Sequence, residues 1–483
     1  MDTRVEEKAI PLAVDLDGTL IAGDLLWEAV FILLRKGPWT LFLFPLWLSR
    51  GKAAFKAEIF SRVEIEPSAL VYRPEVLAWL EVQKSTGREI VLATASCSQK
   101  AQQIADHLGC FSNVVGSDQH TNLKSKAKLD LLVSQYGDGG FDYAGNSADD
   151  LVLFDAARNA IVVAPDRAAA AWAQANDISP LVGSESASLK DIVKMLRVHQ
   201  WAKNLLIAVP AILDHQFFQV GTLMAIAGAF FAFSFLASAV YVFNDLFDLA
   251  MDRAHSTKRN RPLAAGRVMP ETGVKIAFAL VAAAFALCLF LPPMFAAVLA
   301  GYFVITTAYS LKIKRWLLID VLTLASLYTV RVIAGIAVVA AAPSFWLLAF
   351  STFFFLSLAL VKRYVELDHS DIGEKERLSG RGYRPEDKDV IMQAGMASAF
   401  ASIVVLALYL DSQAIYRLYA HPWMIWPLCP LVLYIIMRVW ILAKRKEFND
   451  DPVVFISTDW RSQLIVALGA VLMLVAGFYP PGA

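Results

Sequence analysis

The chain has 483 residues, ample for two or three soluble domains, yet 57% of them are hydrophobic and the mean hydropathy is +0.51, too apolar for an ordinary soluble protein. Lys plus Arg balance Asp plus Glu at 44 each, so the net charge gives no reason to expect nucleic acid as a partner. Cys97, Cys110, Cys288 and Cys429 lack a paired metal-ligand spacing and read as packing residues.

Met1 to Ile10 is charged and leads straight into an apolar strand, which predicts no cleavable signal peptide and a first domain that stays in the cytoplasm. Short β-type runs follow at Ala13-Val14, Ile90 to Ala93, Val114-Val115, Tyr143-Ala144 and Ala160 to Val163, with amphipathic stretches between them. This alternation predicts a Rossmann-like α/β domain over residues 1–188, a parallel sheet covered by helices. Leu25 to Leu48 departs from it, as two apolar decads broken by Arg35-Lys36-Gly37-Pro38. Each decad is too short for a bilayer crossing, which takes ~20 residues. They predict a helical cap within residues 25–75, resting either on the membrane surface or only on its own domain.

A polar stretch around Gly183 to Lys190 precedes a second domain, 189–483, expected to be an all-α polytopic membrane bundle. Gln216 to Asn244 is uncharged; Ile276 to Leu311 is uncharged and long enough for two helices around Leu291-Pro292-Pro293. Trp316 to Val361, divided near Ala342-Pro343, and segments near 390–410, 423–443 and 462–479 bring the total to eight spans, with a weaker ninth at about 200–215. With nine spans, the loops on the side of the first domain hold Arg253, Lys258, Arg259, Arg261 and Arg267, then Lys312, Lys314 and Arg315, then Lys362 to Lys388, then Lys444 to Lys446. The opposite turns hold one Arg, as the positive-inside rule requires of a multi-pass protein of the cytoplasmic (inner) membrane.

Chemistry concentrates at Asn244-Asp245-Leu246-Phe247-Asp248-Leu249-Ala250-Met251-Asp252. Helical offsets place Asp245, Asp248 and Asp252 on one face with Asn244 beside them. Three such carboxylates repel one another unless a cation joins them, and an oxygen-only set suits Mg²⁺. Arg253, His255, Lys258, Arg259 and Arg261 add cations at the same place, so a diphosphate held by both is the natural ligand.

Asn244-Asp245-x-x-Asp248-x-x-x-Asp252, followed by Lys258-Arg259-x-Arg261-Pro262-Leu263-Ala264-x-Gly266, resembles the first signature of the UbiA-type prenyltransferase superfamily over about Leu196 to Phe478. The resemblance implies about nine membrane helices and Mg²⁺ held by Asn244, Asp245, Asp248 and Asp252 to bind a diphosphate leaving group, with Asp248 and Asp252 central to catalysis. The later loop, Lys362-Arg363-Tyr364-Val365-Glu366-Leu367-Asp368-His369-Ser370-Asp371, fits poorly the second aspartate motif of the aromatic branches. With Arg197-x-x-Gln200-Trp201-x-Lys203-Asn204, Tyr309-Ser310-x-Lys312, Asp320, Arg331 and Asp451-Pro452, it looks like the decaprenyl-phosphate phosphoribosyltransferase branch. That branch implies 5-phosphoribosyl 1-diphosphate as donor and a polyprenyl phosphate as acceptor. Lys203, Asn204, Lys258, Arg259, Arg261, Tyr309, Lys312, Asp320, Arg331, Lys362 and Arg363 would then bind substrate, Asp320 and Arg331 lining the cavity from similar helix faces. Donor and acceptor together carry three phosphate groups, which call for Lys and Arg where the other branches have acid. An aromatic or quinone-precursor polyprenyltransferase is the alternative, kept open by Asp368 and Asp371. A transporter is disfavoured because the polar groups gather on one side. A homo-oligomer is compatible with the sequence, which does not fix it.

Asp15-Leu16-Asp17-Gly18-Thr19-Leu20 directly follows the first strand. Two carboxylates at i and i+2 can divide labour, Asp15 attacking phosphorus and Asp17 acting as general acid and base. The pattern resembles the haloacid dehalogenase signature over about residues 9–182. The resemblance implies phosphate binding by Thr94, charge offset by Lys128 with Lys124 as a close alternative, and Mg²⁺ bound through Asp15, Asp17, Asn146 and Asp150. Asn146 stands where an Asp is usual, which keeps an oxygen ligand and loses a charge.

Overall fold

The five apolar runs of the amino-terminal domain form one parallel sheet in the computed structural model, which describes residues 10–118, 121–183, 187–368, 381–419, 421–447 and 451–478. The strands are β1 (Leu12–Val14), β2 (Ile90–Cys97), β3 (Asn113–Ser117), β4 (Asp142–Gly145) and β5 (Ala160–Val162), in the order β3-β2-β1-β4-β5. Leu12 lies opposite Ile90 on one side and Asp142 on the other, so β1 is central, and Leu12, Val14, Ile90 and Leu92 are wholly buried. The order reverses between β1 and β4, and in such sheets the crevice at the carboxyl ends of the strands is where ligands bind. Asp15 and Asn146 stand at those two strand ends.

The cap consists of α1 (Leu25–Lys36), a 3₁₀ turn over Pro38–Leu43, α2 (Phe44–Ser49) and α3 (Lys52–Phe60). Asp24 caps α1 by accepting from the Leu26 and Trp27 N–H groups, and Gly37-Pro38 ends it, since proline cannot continue the hydrogen-bond ladder. Leu25, Ala29, Val30, Leu33, Trp47, Ile59 and Phe60 bury against Leu16, Leu20 and Ile21, whereas Trp39, Phe42 and Leu46 are 64%, 83% and 53% exposed. The domain continues through α4 (Pro74–Ser85), α5 (Ser98–Leu108), α6 (Lys126–Tyr136), α7 (Leu151–Ala156), α8 (Arg167–Ala175) and α9 (Leu189–Met195).

A 3₁₀ segment, Val198–Ala208, then runs into the short α10 (Val209–Leu213). Next come α11 (Val220–Phe247), α12 (Leu249–Ala254), α13 (Pro270–Leu287), α14 (Pro293–Leu311), α15 (Ile319–Val339), α16 (Phe345–Asp368), α17 (Lys388–Leu410), α18 (Gln413–Leu418), α19 (Leu428–Lys444), α20 (Pro452–Thr458) and α21 (Trp460–Phe478). Among the described residues, eight helices are long and apolar enough to cross a membrane, at the eight places expected from hydropathy. The expected ninth, about 200–215, is not a long α-helix: it is the 3₁₀ segment plus α10. At about 2.0 Å per 3₁₀ residue and 1.5 Å per α residue, it still reaches roughly 30 Å, a hydrocarbon-core thickness. Such long 3₁₀ runs are uncommon and often mark function; this one carries Lys203 and Asn204.

Packing divides the chain into two units, Met1–Leu196 with Tyr241–Ile276, and Arg197–Val240 with Ala277–Ala483. The aspartate-rich segment thus packs with the α/β domain, although the sequence boundary at 188 assigns it to the bundle. In the second unit, α15 is the most enclosed of these eight helices, and α16, α17 and α19 join it in one core through Tyr328, Phe355, Leu358, Ala399 and Trp440.

Candidate active sites

Asp15 and Asp17 leave β1 in a tight loop that Gly18 makes feasible. Its φ is +77°, and a Cβ there would lie 2.2 Å from the Asn146 Nδ2, so glycine is required on both counts. Lys128 on α6 puts Nζ 2.7 Å from the Asp15 Oδ1 and also donates to the Tyr143 hydroxyl at 2.9 Å. Lys124, the alternative, pairs instead with exposed Asp149 at 2.8 Å. Tyr143 donates to the Asp150 Oδ1 at 2.6 Å, and the Asp150 Oδ2 accepts from the Asn146 and Ser147 N–H groups and the Ser147 hydroxyl. Asp150, expected to hold metal, therefore has both oxygens engaged in fixing the loop that carries Asn146. Thr94 is fully buried and accepts from the Ser96 N–H; the Ser96 hydroxyl donates to the Asp17 Oδ2 at 2.7 Å.

Burial raises the Asp15 carboxyl to about 6 against the pull of Lys128. Burial, with Asp24 and Asp15 beside it, raises Asp17 to about 7. Both carboxyls are thus held above the ordinary carboxylate range by burial, the direction of shift that general acid–base work by a carboxyl near neutral pH requires. From the cap, Lys56 on α3 donates to the Ala95 carbonyl at 2.8 Å. Burial lowers its pKa, and Asp17 and Asp24 oppose that shift. Tyr143, Ser96 and Lys56 were not legible as site residues; only the position of Ser96, two residues after Thr94, was a signal.

In the aspartate-rich segment the helix kinks at Asp248, with φ −103° and ψ 10°, so the three carboxylates do not share one straight helix as the spacing predicts. The Asp248 N–H still reaches the Asn244 carbonyl (3.0 Å) and the Asp252 N–H the Asp248 carbonyl (2.8 Å), which preserves the common face. Asp245 and Asp252, each 3% exposed, share the Arg261 guanidinium, whose Nη1 lies 3.0 and 2.6 Å from their oxygens. Lys258 and Arg259 extend into solvent on a 3₁₀ turn, Lys258–Asn260. Among the described residues no three His, Cys, Asp or Glu side chains form a closed metal-ligand group. The donor chemistry nevertheless fits a hard cation: two buried carboxylates are already drawn round a positive charge, and Mg²⁺ commonly takes one or two carboxylates and fills its shell with water and phosphate.

In the second unit, Asp451, 5% exposed at the start of α20, gathers Lys203 Nζ at 2.7 Å, Lys362 Nζ at 3.2 Å and the Tyr328 hydroxyl at 2.7 Å. Burial would raise this carboxyl, but the two lysines and the tyrosine hold it well below the usual carboxylate range. Arg331, buried at mid-helix, donates to the Asn204 Oδ1 (2.8 Å), the Leu327 carbonyl and the Tyr302 hydroxyl, and lies 5.0 Å from the Tyr302 ring centre. Asn204 in turn donates to Ser234. Asp320 does not join Arg331. It pairs across helices with Arg363 at 2.6 Å, both side chains fully buried, and accepts from the Tyr383 hydroxyl. Arg363 also pairs with Glu366, and Arg381 links the Tyr309 hydroxyl to the same group. Lys312 sits over the Trp316 ring. Asp368 pairs with Lys388 and Lys446, and Asp371 lies outside the described residues. Tyr328 was missed because an isolated polar residue on an apolar helix carries no motif, and Arg381 and Tyr383 because they lie in a loop with no motif of its own.

A sequence model of the UbiA prenyltransferase family matches residues 205–458, and one of haloacid dehalogenase-like hydrolases matches residues 12–135. The chain belongs to the UbiA prenyltransferase family and carries an amino-terminal haloacid dehalogenase-like domain; it is a multi-pass membrane protein of enzyme families. It is 37% identical to an uncharacterized protein, y4nM, of Sinorhizobium fredii over 99% of this chain and 93% of that one. It is 33% identical to the decaprenyl-phosphate phosphoribosyltransferase of Mycolicibacterium smegmatis over 43% of this chain and 67% of that one. A solved UbiA homolog from Archaeoglobus fulgidus, bound to GPP and Mg²⁺, aligns with a TM-score of 0.46 and 14% identity over 59% of this chain and 99% of that one.

Proposed function

We propose that the bundle transfers 5-phosphoribose from 5-phosphoribosyl 1-diphosphate to a polyprenyl phosphate, and that the amino-terminal domain removes the 5-phosphate of the product. The observation that carries the reading is the buried cluster of Lys203, Asn204, Tyr328, Arg331, Lys362 and Asp451, in which two lysines pair with one carboxylate and a third cation, Arg331, is held through Asn204, the neighbour of Lys203. A prenyl diphosphate and an aromatic acceptor that carries no phosphate would leave more of that positive charge unmatched. A phosphorylated sugar donor and a lipid phosphate use it.

In this reading Asp245, Asp248 and Asp252 with Asn244 hold Mg²⁺, which supplies charge neutralisation to the departing diphosphate. Arg261 keeps Asp245 and Asp252 together. The bond from the ribose anomeric carbon to the diphosphate oxygen breaks, and a phosphate oxygen of the acceptor bonds to that carbon. No general base is needed, because the acceptor is already anionic near neutral pH. Arg363, enclosed by Asp320 and Glu366, suits holding α15 against α16 more than touching phosphate. In the amino-terminal site the Asp15 carboxylate attacks the 5-phosphorus while Asp17 protonates the departing ribosyl oxygen; water then releases inorganic phosphate. The sites face the cytoplasm of an inner membrane, a topology supported by the basic loops.

The test supplies membranes containing the protein with labelled phosphoribosyl diphosphate and polyprenyl phosphate, then extracts lipid. Labelled lipid is expected, lost in Asp248→Asn and in excess chelator. Transfer by neither, with prenylation of an aromatic acid instead, overturns the reading. By mass, Asp15→Asn should accumulate the phosphorylated lipid while the wild type releases phosphate; identical products from both would remove the phosphatase step.

A further inference from the structure

Helix α1 of the hydrolase-like domain touches both chemistries of the first unit. At its start the Leu25 N–H donates to the Asp17 Oδ1 at 2.7 Å. One turn on, Glu28, only 6% exposed, receives Arg253 as a two-pronged fork at 2.7 and 3.2 Å. Arg253 follows Asp252 directly and also donates to the Ala69 and Ala264 carbonyls, so its guanidinium is fully engaged. Two turns further, Arg35 Nε stands 3.8 Å from the Asp248 Oδ1, and Phe31 meets Phe247 edge-on at 5.9 Å. Where the loop returns, Gly266 has φ +72°, and a Cβ there would come within 3.3 Å of the Ala22 Cβ and 3.2 Å of the Val71 Cγ1. Fork, ring contact and close approach fasten the aspartate-rich segment to the cap.

We propose that α1 is a working wall of the transferase: Glu28, acting through Arg253, and Arg35 are positioning residues that set Asp252 and Asp248 for the cation and its diphosphate. This rests on the metal role assigned above to those aspartates. The physical reason is competition. A largely enclosed guanidinium that loses its carboxylate partner is left in search of another. With Glu28 in place, Arg253 is held by that carboxylate and by the Ala69 and Ala264 carbonyls; without it, the guanidinium can turn to the carboxylates of the adjoining motif, beginning with Asp252 next to it in the chain, and such pairing removes ligands from the metal. Outer partners of this kind are worth about 10–100-fold in metal affinity.

The test titrates detergent-solubilised full-length protein with Mn²⁺, followed by electron paramagnetic resonance, in an Asp15→Asn/Asp17→Asn background that disables the hydrolase site. Glu28→Gln should weaken binding ~10-fold, and in the chain with Asp15 and Asp17 intact it should raise the half-saturating Mg²⁺ for transfer by the same factor. Exchanging the pair, Glu28→Arg with Arg253→Glu, should restore both to within about threefold, a rescue that loss of folding would not give. Should Glu28→Gln fold poorly, Arg35→Gln, at a partly exposed position, should still shift the Mn²⁺ curve about threefold. Wild-type Mn²⁺ affinity in Glu28→Gln and Arg35→Gln overturns the proposal. A wild-type protein that transfers no phosphoribose while the Mn²⁺ shifts persist overturns the functional reading and upholds this one.

Discussion

Lys128 Nζ lies 2.7 Å from the Asp15 Oδ1 and 2.9 Å from the Tyr143 Oη, both lysine and aspartate being buried. The lysine therefore offsets the Asp15 charge from inside the fold, while Lys124 meets Asp149 in solvent. Lys128→Met should lower hydrolysis of a small phosphomonoester by about a hundredfold or more, as loss of a preorganised cation at a transferring phosphoryl group does. Lys124→Met should change it by less than about threefold, as for an exposed pair. Steady-state rates of the two variants check this, and equal losses would mean that the charge is supplied from the loop.

The raised carboxyls of Asp15 and Asp17 make stability fall with pH. Both folded-state values exceed the ordinary 3.8, so between about pH 4 and 7 the folded domain holds more protons than the unfolded chain, and each rise in pH favours unfolding. In chelator, the unfolding temperature of the amino-terminal domain should drop across this window. Asp17→Asn should flatten the drop, since an amide does not titrate. A curve that rises with pH in chelator would contradict the burial of these groups.

How much of this was readable in advance differs by element. The sheet was legible because each buried strand is a short apolar run bounded by polar residues, and the eight spans because lipid allows few charges over ~20 residues. The placement of Asp15 and Asp17 at the end of β1, and of Asn244 to Asp252 at a helix end, was legible because local spacing sets it. The Val198–Ala208 backbone was not: 3₁₀ and α-helix share the same hydrophobic content, and tertiary contacts choose between them. Nor was the Glu28–Arg253 pair, whose partners are 225 residues apart with nothing in either neighbourhood to join them.

Asn146 stands beside Gly18, its amide next to the Asp15 to Gly18 loop, where an acid would add a third negative charge. Asn146→Asp should therefore increase apparent Mg²⁺ affinity of the hydrolase about tenfold, since ligand charge count tunes affinity for hard cations. It should also lower the unfolding temperature in chelator, where three carboxylates repel unscreened. Mg²⁺ titration of phosphate release and a melting curve in chelator measure the two effects. An unchanged Mg²⁺ requirement would place Asn146 outside the ligand set.

Asp320 and Arg363 test whether a buried charge on α15 and α16 serves substrate or architecture. Both side chains have no exposed surface, they meet at 2.6 Å, and the Tyr383 hydroxyl completes the aspartate's shell. Removing one partner should cost about 3–5 kcal/mol, because the other loses its close counter-charge inside the bundle, Arg381 standing 3.9 Å from Asp320. Arg363→Met alone should therefore leave little folded protein. Asp320→Leu with Arg363→Met replaces the pair by apolar groups and should recover most of the stability, the Tyr383 hydroxyl still accepting from the Leu318 N–H at 3.1 Å. If the pair is architectural, the double variant keeps the proposed phosphoribosyl transfer within about tenfold of wild type. If Arg363 binds phosphate, as the family resemblance implies, the double variant is folded and inactive. Size-exclusion recovery and lipid labelling on the same preparations separate these outcomes, and full enclosure of both side chains leads us to expect the first.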